Sequence, residues 1–180
     1  MGKQVLLTSE SFVKNITNIS DNIESKYLLS AIREAQDIKL KQILGSALLA
    51  KLKSIVENNA TNAAENTLYK VLIEQCQYYL SYQTIAELPI KISYKLTNLG
   101  AVRTVDDKVQ SISSEEIAKV QYYYQSKADF YAHELQGYLL RHSSDYPELD
   151  ANDCKEIRKN LHSAATCGLW LGGVRGKKTW

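Results

Sequence analysis

Residues 67–88, TLYKVLIEQCQYYLSYQTIAEL, carry apolar side chains on two sides of one helix. At about 100° per residue, Tyr69, Leu72, Ile73, Cys76, Leu80 and Gln83 form a main stripe, and Val71, Tyr78, Tyr82 and Ile85 fall together on the opposite side. Such a helix cannot lie on the outside of its own domain with one face in water. Either it runs through the centre of a bundle, or its second side meets another chain.

The neighbouring segments supply a bundle. Leu28, Ala31, Ile32, Ala35, Ile38 and Ile43 recur at helical spacings, predicting a helix from about residue 21 or 22 to residue 44, with Gly45 as its stop. Ser46 then caps a shorter helix bearing Leu48, Leu49, Leu52, Ile55 and Val56 on one side. A further short helix is expected over residues 9–19, and the polar run 57–66 reads as a loop. Pro89 ends the two-sided helix. After it, IKISYKL (90–96) switches to period-two alternation, the pattern of a strand. TNLGAV turns the chain, and VRTVDDKVQSI returns as a second strand, so a hairpin at about 90–112 projects from the bundle. SSEE opens the last long helix with a capping box, Ser113 as N-cap and Glu116 three residues on. Its core stripe is Ile117, Val120, Tyr124, Ala128, Tyr131, Leu135, Tyr138 and Leu139, and Tyr122, Tyr123 and Phe130 lie well off it. The expected organisation is an all-α bundle of four to five helices over 1–149, with the hairpin inserted, and an extended C-terminal arm over 150–180.

Catalysis finds little footing. His133 and Glu134 open HELQG, where a zinc-protease helix needs a second His at position 137, and that residue is Gly137. GGVRGKK lacks the strand–loop–helix setting and the terminal Ser or Thr of a phosphate-binding loop. Asp106 and Asp107 beside a turn read as a solvated loop rather than an acid–base pair. No catalytic residue, metal ligand or cofactor site is therefore assigned, and the protein is expected not to be an enzyme. Cys76, Cys154 and Cys167 are odd in number and unclustered, which favours a reducing compartment over a disulfide framework. Neither a secretory leader nor a membrane span of roughly 18 apolar residues is expected.

The aromatic usage points elsewhere. The chain holds 12 Tyr against 2 Phe. Tyr packs as an apolar ring yet tolerates water at its hydroxyl, and it is enriched where proteins meet one another. An ordinary helical core accounts for the main stripes but leaves the off-stripe residues unexplained. Val71, Tyr78, Tyr82, Ile85, Tyr122, Tyr123 and Phe130 are accordingly the candidate inter-subunit residues. The net charge of +2 gives no global case for nucleic acid, but Arg158, Lys159, Arg175, Lys177 and Lys178 make the segment 157–180 basic with no acid. Leu169, Trp170, Leu171 and Trp180 add apolar mass that disordered tails rarely carry. Trp170, Arg175, Lys177, Lys178 and Trp180 therefore read as an arm that docks on a partner.

YLLSAIREAQDIKLKQILGSALLAKL (27–52), the helix ending at Pro89, KLTNLGAVRTVDD (95–107) and SSEEIAKVQYYYQSKADFYAHELQGYLL followed by YPEL together resemble the helical head–tail connector, or adaptor, proteins of tailed bacteriophages. The most similar version is that of crAss-like and other Bacteroidetes-infecting phages, and the resemblance covers about residues 7–149. It implies a homo-oligomeric ring, about a dodecamer, under the portal protein at the neck of the virion. Such a ring is made in the bacterial host cytoplasm, adjoins other neck or tail ring proteins, and passes DNA through its lumen without sequence-specific binding. No cofactor and no membrane contact come with it. The tail from residue 150 matches least. The main alternative is a small helical nucleic-acid-binding protein using the basic C-terminal tail, which predicts monomers or dimers and DNA affinity falling steeply with salt. A second is an enzyme built around His133 with Asp129 or Glu134.

Overall fold

The computed structural model describes residues 4–97, 100–103 and 113–150. The fold is all-α, as expected, with five α-helices among the described residues. Helix α1 (Glu10–Ile16) starts where the Ser9 hydroxyl accepts the Phe12 amide at 3.2 Å. It buries Val13 alone, so it is a cover rather than a pillar. Helix α2 (Ser25–Glu34) buries Leu28, Ala31 and Ile32, and its backbone then widens into a π-helical stretch, Ala35–Leu40. A π turn takes an extra residue, which advances every later side chain around the axis. Ile38, assigned to the core by helical spacing, therefore faces water at 54% exposure, and Gln36 and Leu40 turn inward and are fully buried.

Helix α3 (Lys41–Glu57) bends at Gly45, where φ is 80° and ψ is 168°. Only glycine takes that backbone cheaply, so the expected break occurs there, as a kink between two helical runs. Leu44, Leu48 and Leu52 on either side of it are fully buried.

Helix α4 (Thr67–Ser93) resolves the opening choice. One hydrophobic cluster joins it through Leu72, Cys76 and Leu80 to Leu48 and Leu52 of α3 and to Ala128, Leu135 and Leu139 of α5 (Ser114–Arg141). A second joins it through Ile85 and Leu88 to Val13, Leu28, Ala31 and Ile32 of α1 and α2. The helix is central, and its C-terminal half is enclosed from several directions. Each fully buried Leu or Ile contributes about 1.5–3 kcal/mol, so these clusters dominate the stability. Ile85, expected at a contact between chains, is instead sealed inside this subunit at 3% exposure, because α1 and α2 cover the side of α4 on which it stands.

The helix also runs past Pro89 to Ser93, where the sequence pattern places its end and the start of a strand at Ile90. Proline removes one amide donor and costs about 3 kcal/mol or more inside a helix. Leu88 is buried beside it, Lys91 Nζ meets Glu34 Oε1 at 2.6 Å, and the Gln121 side chain donates to the Ala86 carbonyl at 3.1 Å. These tertiary ties hold the last turn against the proline. Two short strands follow, β1 (Tyr94–Thr97) and β2 (Gly100–Arg103), paired antiparallel with Tyr94 opposite Arg103 and Thr97 opposite Gly100. Residues 98–99 and 104–112 of the expected hairpin, and the arm beyond residue 150, lie outside the described residues.

Helix α5 begins with the predicted capping box: Ser113 N–H donates to Glu116 Oε2 at 2.8 Å, and Glu116 N–H to Ser113 Oγ at 3.2 Å. Its stripe is buried at Ile117, Ala128, Leu135 and Leu139, but Val120 is 41% exposed, standing to one side of the line that Ile117 and Ala128 share along the helix. Helices α4 and α5 are antiparallel and joined by amide side chains. Gln83 and Gln125 exchange hydrogen bonds at 3.3 and 3.2 Å, and Gln83 also donates to Glu87 at 3.0 Å. Burial raises the Glu87 carboxyl above its usual range, and the Gln83 bond opposes that.

Two polar ties close the ends of the bundle. Gln36 accepts the Leu7 amide at 2.8 Å and donates to the Val5 carbonyl at 3.1 Å, while Gln77 donates to the Leu7 carbonyl at 2.8 Å. The N-terminal strand of chain is thereby strapped across α4, with Leu7 in the core. At the other end Tyr146 is fully buried, donating to the Leu68 carbonyl at 3.1 Å and accepting from the Tyr138 hydroxyl at 3.0 Å. The Tyr69 hydroxyl donates to both Glu148 oxygens at 3.0 and 3.1 Å.

Replacing Gln36 by Ala leaves the buried Leu7 amide without a partner and is expected to cost about 1–3 kcal/mol in chemical denaturation. Tyr69 supplies a pH test. Desolvation, reinforced by Glu148, pushes its hydroxyl up to about 12. Its contribution is complete below about pH 10, the unfolded value, and is lost as pH rises from there through about 12. Tyr69→Phe is expected to flatten that part of the alkaline unfolding curve and leave the curve at pH 7–9 with the same slope.

Candidate protein–protein interface

The aromatic surface of the bundle lies between α1 and α5, over the middle of α4. Tyr78 and Tyr82 stand one turn apart on α4, as their spacing of four requires. Both stack on Tyr131 of α5, at 5.9 Å and 14° for Tyr78 and at 5.1 Å and 7° for Tyr82. Phe12 of α1 meets Tyr78 edge-on at 5.9 Å, and Phe130 meets Tyr131 edge-on at 5.4 Å. A further pair, Tyr123 and Tyr124, sits edge-on at 5.2 Å. Lys127 joins the groups, its Nζ 4.2 Å from the Tyr123 ring centre and 5.6 Å from that of Tyr82. Rings from three helices thus make one continuous strip. Each ring pair is worth about 0.5–1.5 kcal/mol beyond its buried area, enough to order the side chains.

The strip is shaped as well as apolar. Tyr82, Ser126, Lys127, Phe130 and Tyr131 line a shallow groove of about 300 Å³. Phe130 is 60% exposed, Tyr123 55% and Tyr122, the most open aromatic residue among the described residues, 78%. Tyr78 and Val71 are each 38% exposed, and Tyr82 is half-buried. Burial raises the Tyr131 hydroxyl above its ordinary value, with Tyr82 and Tyr78 adding to it. Hydrogen bonding to Tyr123 raises the Lys127 ammonium, so that cation stays charged at any ordinary pH. The face offers flat rings, hydroxyls and one fixed positive charge. That chemistry suits a protein partner rather than a reaction.

In sequence, Tyr78 and Tyr82 stand on one helix and Tyr122, Tyr123 and Phe130 on another. The structure brings Tyr78, Tyr82, Tyr123 and Phe130 onto a single face, because the antiparallel register of α4 and α5 sets Tyr78 and Tyr82 beside Tyr131. Ile85 is removed from the set, being core. Phe12, Lys127 and Tyr131 belong to the face and are missed by the sequence pattern. Lys127 is visible there only as the residue four beyond Tyr123. Tyr131 reads as core because its spacing fits the stripe, and Phe12 gives no signal without the placement of α1. The arm residues Trp170, Arg175, Lys177, Lys178 and Trp180 lie outside the described residues.

His133, the centre of the enzyme alternative, is exposed, and its Nδ1–H donates to the Asp129 carbonyl of its own helix at 2.7 Å. The Asp129 carboxylate accepts instead from Gln125 at 2.8 Å. Among the described residues no group of three or more His, Cys, Asp or Glu is placed to hold a metal ion, and no helix is long and apolar enough to cross a membrane. Cys76 is fully buried, which pushes its thiol far above the ordinary value and makes it a poor nucleophile.

Residues 40–159 match the model of a protein family of unknown function, DUF6712, a span that holds every residue of the aromatic face except Phe12. No curated protein and no solved structure matches the chain.

The placement of the aromatic and aliphatic residues predicts opposite outcomes for two substitutions. Ile85→Ala removes buried volume and is expected to cost about 2–5 kcal/mol in denaturant titration. Tyr122→Ser is expected to stay within about 0.5 kcal/mol of the parent.

Proposed function

The chain belongs to the DUF6712 family, and we propose that it acts as a structural ring subunit whose aromatic face is a contact between copies. In this reading a homo-oligomer, about a dodecamer, sits under the portal protein at the neck of a tailed-bacteriophage virion and joins the capsid to the tail. It adjoins other neck or tail ring proteins and lets DNA through its lumen. A near-neutral body suits that role, since a strongly basic wall would hold phosphates and slow their passage. The protein is a scaffold and not an enzyme.

The observation that carries the proposal is the strip in which Tyr78 and Tyr82 stack on Tyr131, Phe130 meets Tyr131 edge-on and Lys127 links Tyr82 to Tyr123, with Tyr78, Tyr123 and Phe130 exposed. Scattered surface aromatics are normal, but a contiguous shaped patch marks a binding surface. Tyr is also among the residues that dominate interface energetics. The family resemblance described from residues 7–149 supplies the ring. A closed ring needs a heterologous contact, in which one surface meets a different surface of the next copy. Since α4 and α5 contribute to one face, the complementary surface lies elsewhere on the subunit. In this reading the strand pair, Tyr94–Thr97 with Gly100–Arg103, faces the axis or an adjacent ring. A lone two-stranded hairpin is marginal in water, so pairing with a neighbour would stabilise it. Docking of the arm residues Trp170, Arg175, Lys177, Lys178 and Trp180 on a partner belongs to the same reading.

The test is mass in solution by light scattering, for the chain alone and mixed with a portal protein of a tailed phage. Ring-sized species, formed alone or on the portal, are expected. The double variant Tyr78→Ser/Tyr82→Ser is expected to shift the mass toward the monomer with the helical circular dichroism retained. A strict monomer that ignores the portal overturns the proposal. Monomers or dimers that bind duplex DNA with a steep salt dependence would establish the nucleic-acid reading in its place.

A further inference from the structure

We infer that the occupant of the aromatic groove is a segment of this same chain, Leu169–Lys178, with Leu169, Trp170 and Leu171 on the rings and Arg175, Lys177 and Lys178 beside Glu74 and Glu134. The inference rests on the reading of this face as a contact surface and names what covers it.

Three observations converge. The first is chemical match. The groove between Tyr82, Phe130 and Tyr131 is apolar, and at about 300 Å³ it falls at the lower end of pockets that hold organic groups. The sequence 169–171, LWL, is the most apolar stretch of the arm, and an indole packs on exposed phenol rings with the geometry those rings already use among themselves.

The second is charge. Counting nine residues back from Gln83 on α4 gives Glu74, and nine on from its partner Gln125 on α5 gives Glu134, so the antiparallel register sets them at one level, each turned about two and a half turns away from the Gln83–Gln125 contact onto the outer side of its helix. Glu74 stands one turn from Tyr78, and Glu134 one turn from Phe130 and Tyr131, so both lie toward the same end of the groove, outside its lining. Both are exposed, and neither has an ion-pair partner among the described residues. The other end is held by Lys127. A segment that is apolar first and basic afterwards, LWLGGVRGKK, therefore has a preferred direction, with its basic end toward the acids and away from Lys127. The two glycines at 172–173 let the backbone turn between the two halves.

The third is reach. The described chain ends at Asp150, beside Tyr146, which bonds to Leu68 at the start of α4. Tyr82 lies 14 residues farther along that helix, about 21 Å at 1.5 Å per residue. Residues 151–168 span up to about 60 Å when extended, enough for the groove of the same subunit or of its neighbour.

Trp170 and Trp180 are the only tryptophans in the chain, so the arm carries its own reporter. In the full-length variant Trp180→Phe, Trp170 fluorescence is expected to be blue-shifted and poorly quenched by acrylamide under native conditions. Phe130→Ser, and separately Glu74→Lys/Glu134→Lys, are expected to raise the quenching constant at least twofold. Adding Lys177→Glu/Lys178→Glu to the second variant is expected to restore the shield. Solvent-like Trp170 emission at every protein concentration overturns the inference, as does a shielded Trp170 indifferent to all of these substitutions. Failure here is separable from failure of the ring. Ring-sized mass with an exposed Trp170 removes the arm from the groove and leaves the ring. A monomer whose Trp170 is shielded by Phe130, Glu74 and Glu134 keeps the arm in the groove and removes the ring.

Discussion

The burial of α4 from opposite sides is the constraint on which the remaining structure depends. A helix with one apolar stripe needs one partner layer, whereas α4 needs two, and the chain meets that need by folding α1 and α2 over one flank and α3 and α5 over the other. Burial of this extent supplies the stability that tolerates several locally unfavourable features. The proline at position 89 sits within the last turns of α4 because Leu88 is already buried and Lys91 is drawn to Glu34. The backbone accepts a π-helical stretch at 35–40 because the widening carries Leu40 into the core. A wide turn opens the backbone hydrogen-bond pattern, and the burial of the Leu40 side chain offsets that loss.

Polar side chains then refine what the clusters hold. Gln36, Gln77, Gln83, Gln121 and Gln125 all tie one segment to another, three of them through backbone groups. Glutamine suits this work because one amide supplies both donor and acceptor, as Gln36 shows between Val5 and Leu7. The ties differ from the surface ion pairs, of which Lys119–Glu115 is almost wholly exposed and worth little. Gln36 and Gln83 are buried and the other three half-buried, so a shift of register by one residue would leave these amides unpaired away from water.

The preference for tyrosine over phenylalanine has two separate origins in the folded chain. Tyr146, Tyr138 and Tyr69 are structural, their hydroxyls closing the junction between the end of α5 and the start of α4. Tyr78, Tyr82, Tyr123 and Tyr131 form a surface, where the hydroxyl keeps an apolar ring compatible with water until something packs on it. One residue type thus meets two needs, an interior hydrogen bond at one end of the bundle and an uncovered contact area at its middle.

Most of the elements are legible in the chain itself, because helix periodicity, the Ser113–Glu116 capping box and the break at Gly45 are local signals governed by backbone sterics and nearby hydrogen bonds. Legible too are the two apolar sides of α4 and the position of Tyr78, Tyr82, Tyr123 and Phe130 away from the main stripes. Hidden in the sequence is the fact that Ile85 is covered while Tyr78, on the same side two turns earlier, is partly open. That difference depends on where α1 and α2 end, a matter of packing over long sequence separations. Nor is the π turn legible, since its extra residue appears only once Leu40 has a core to enter. The sequence by itself determined most of the helical runs, the cap at Ser113 and the excess of apolar surface on α4. Tertiary structure alone decided which part of that excess became core and which became a shared aromatic face, because burial belongs to the arrangement of helices and not to any one of them.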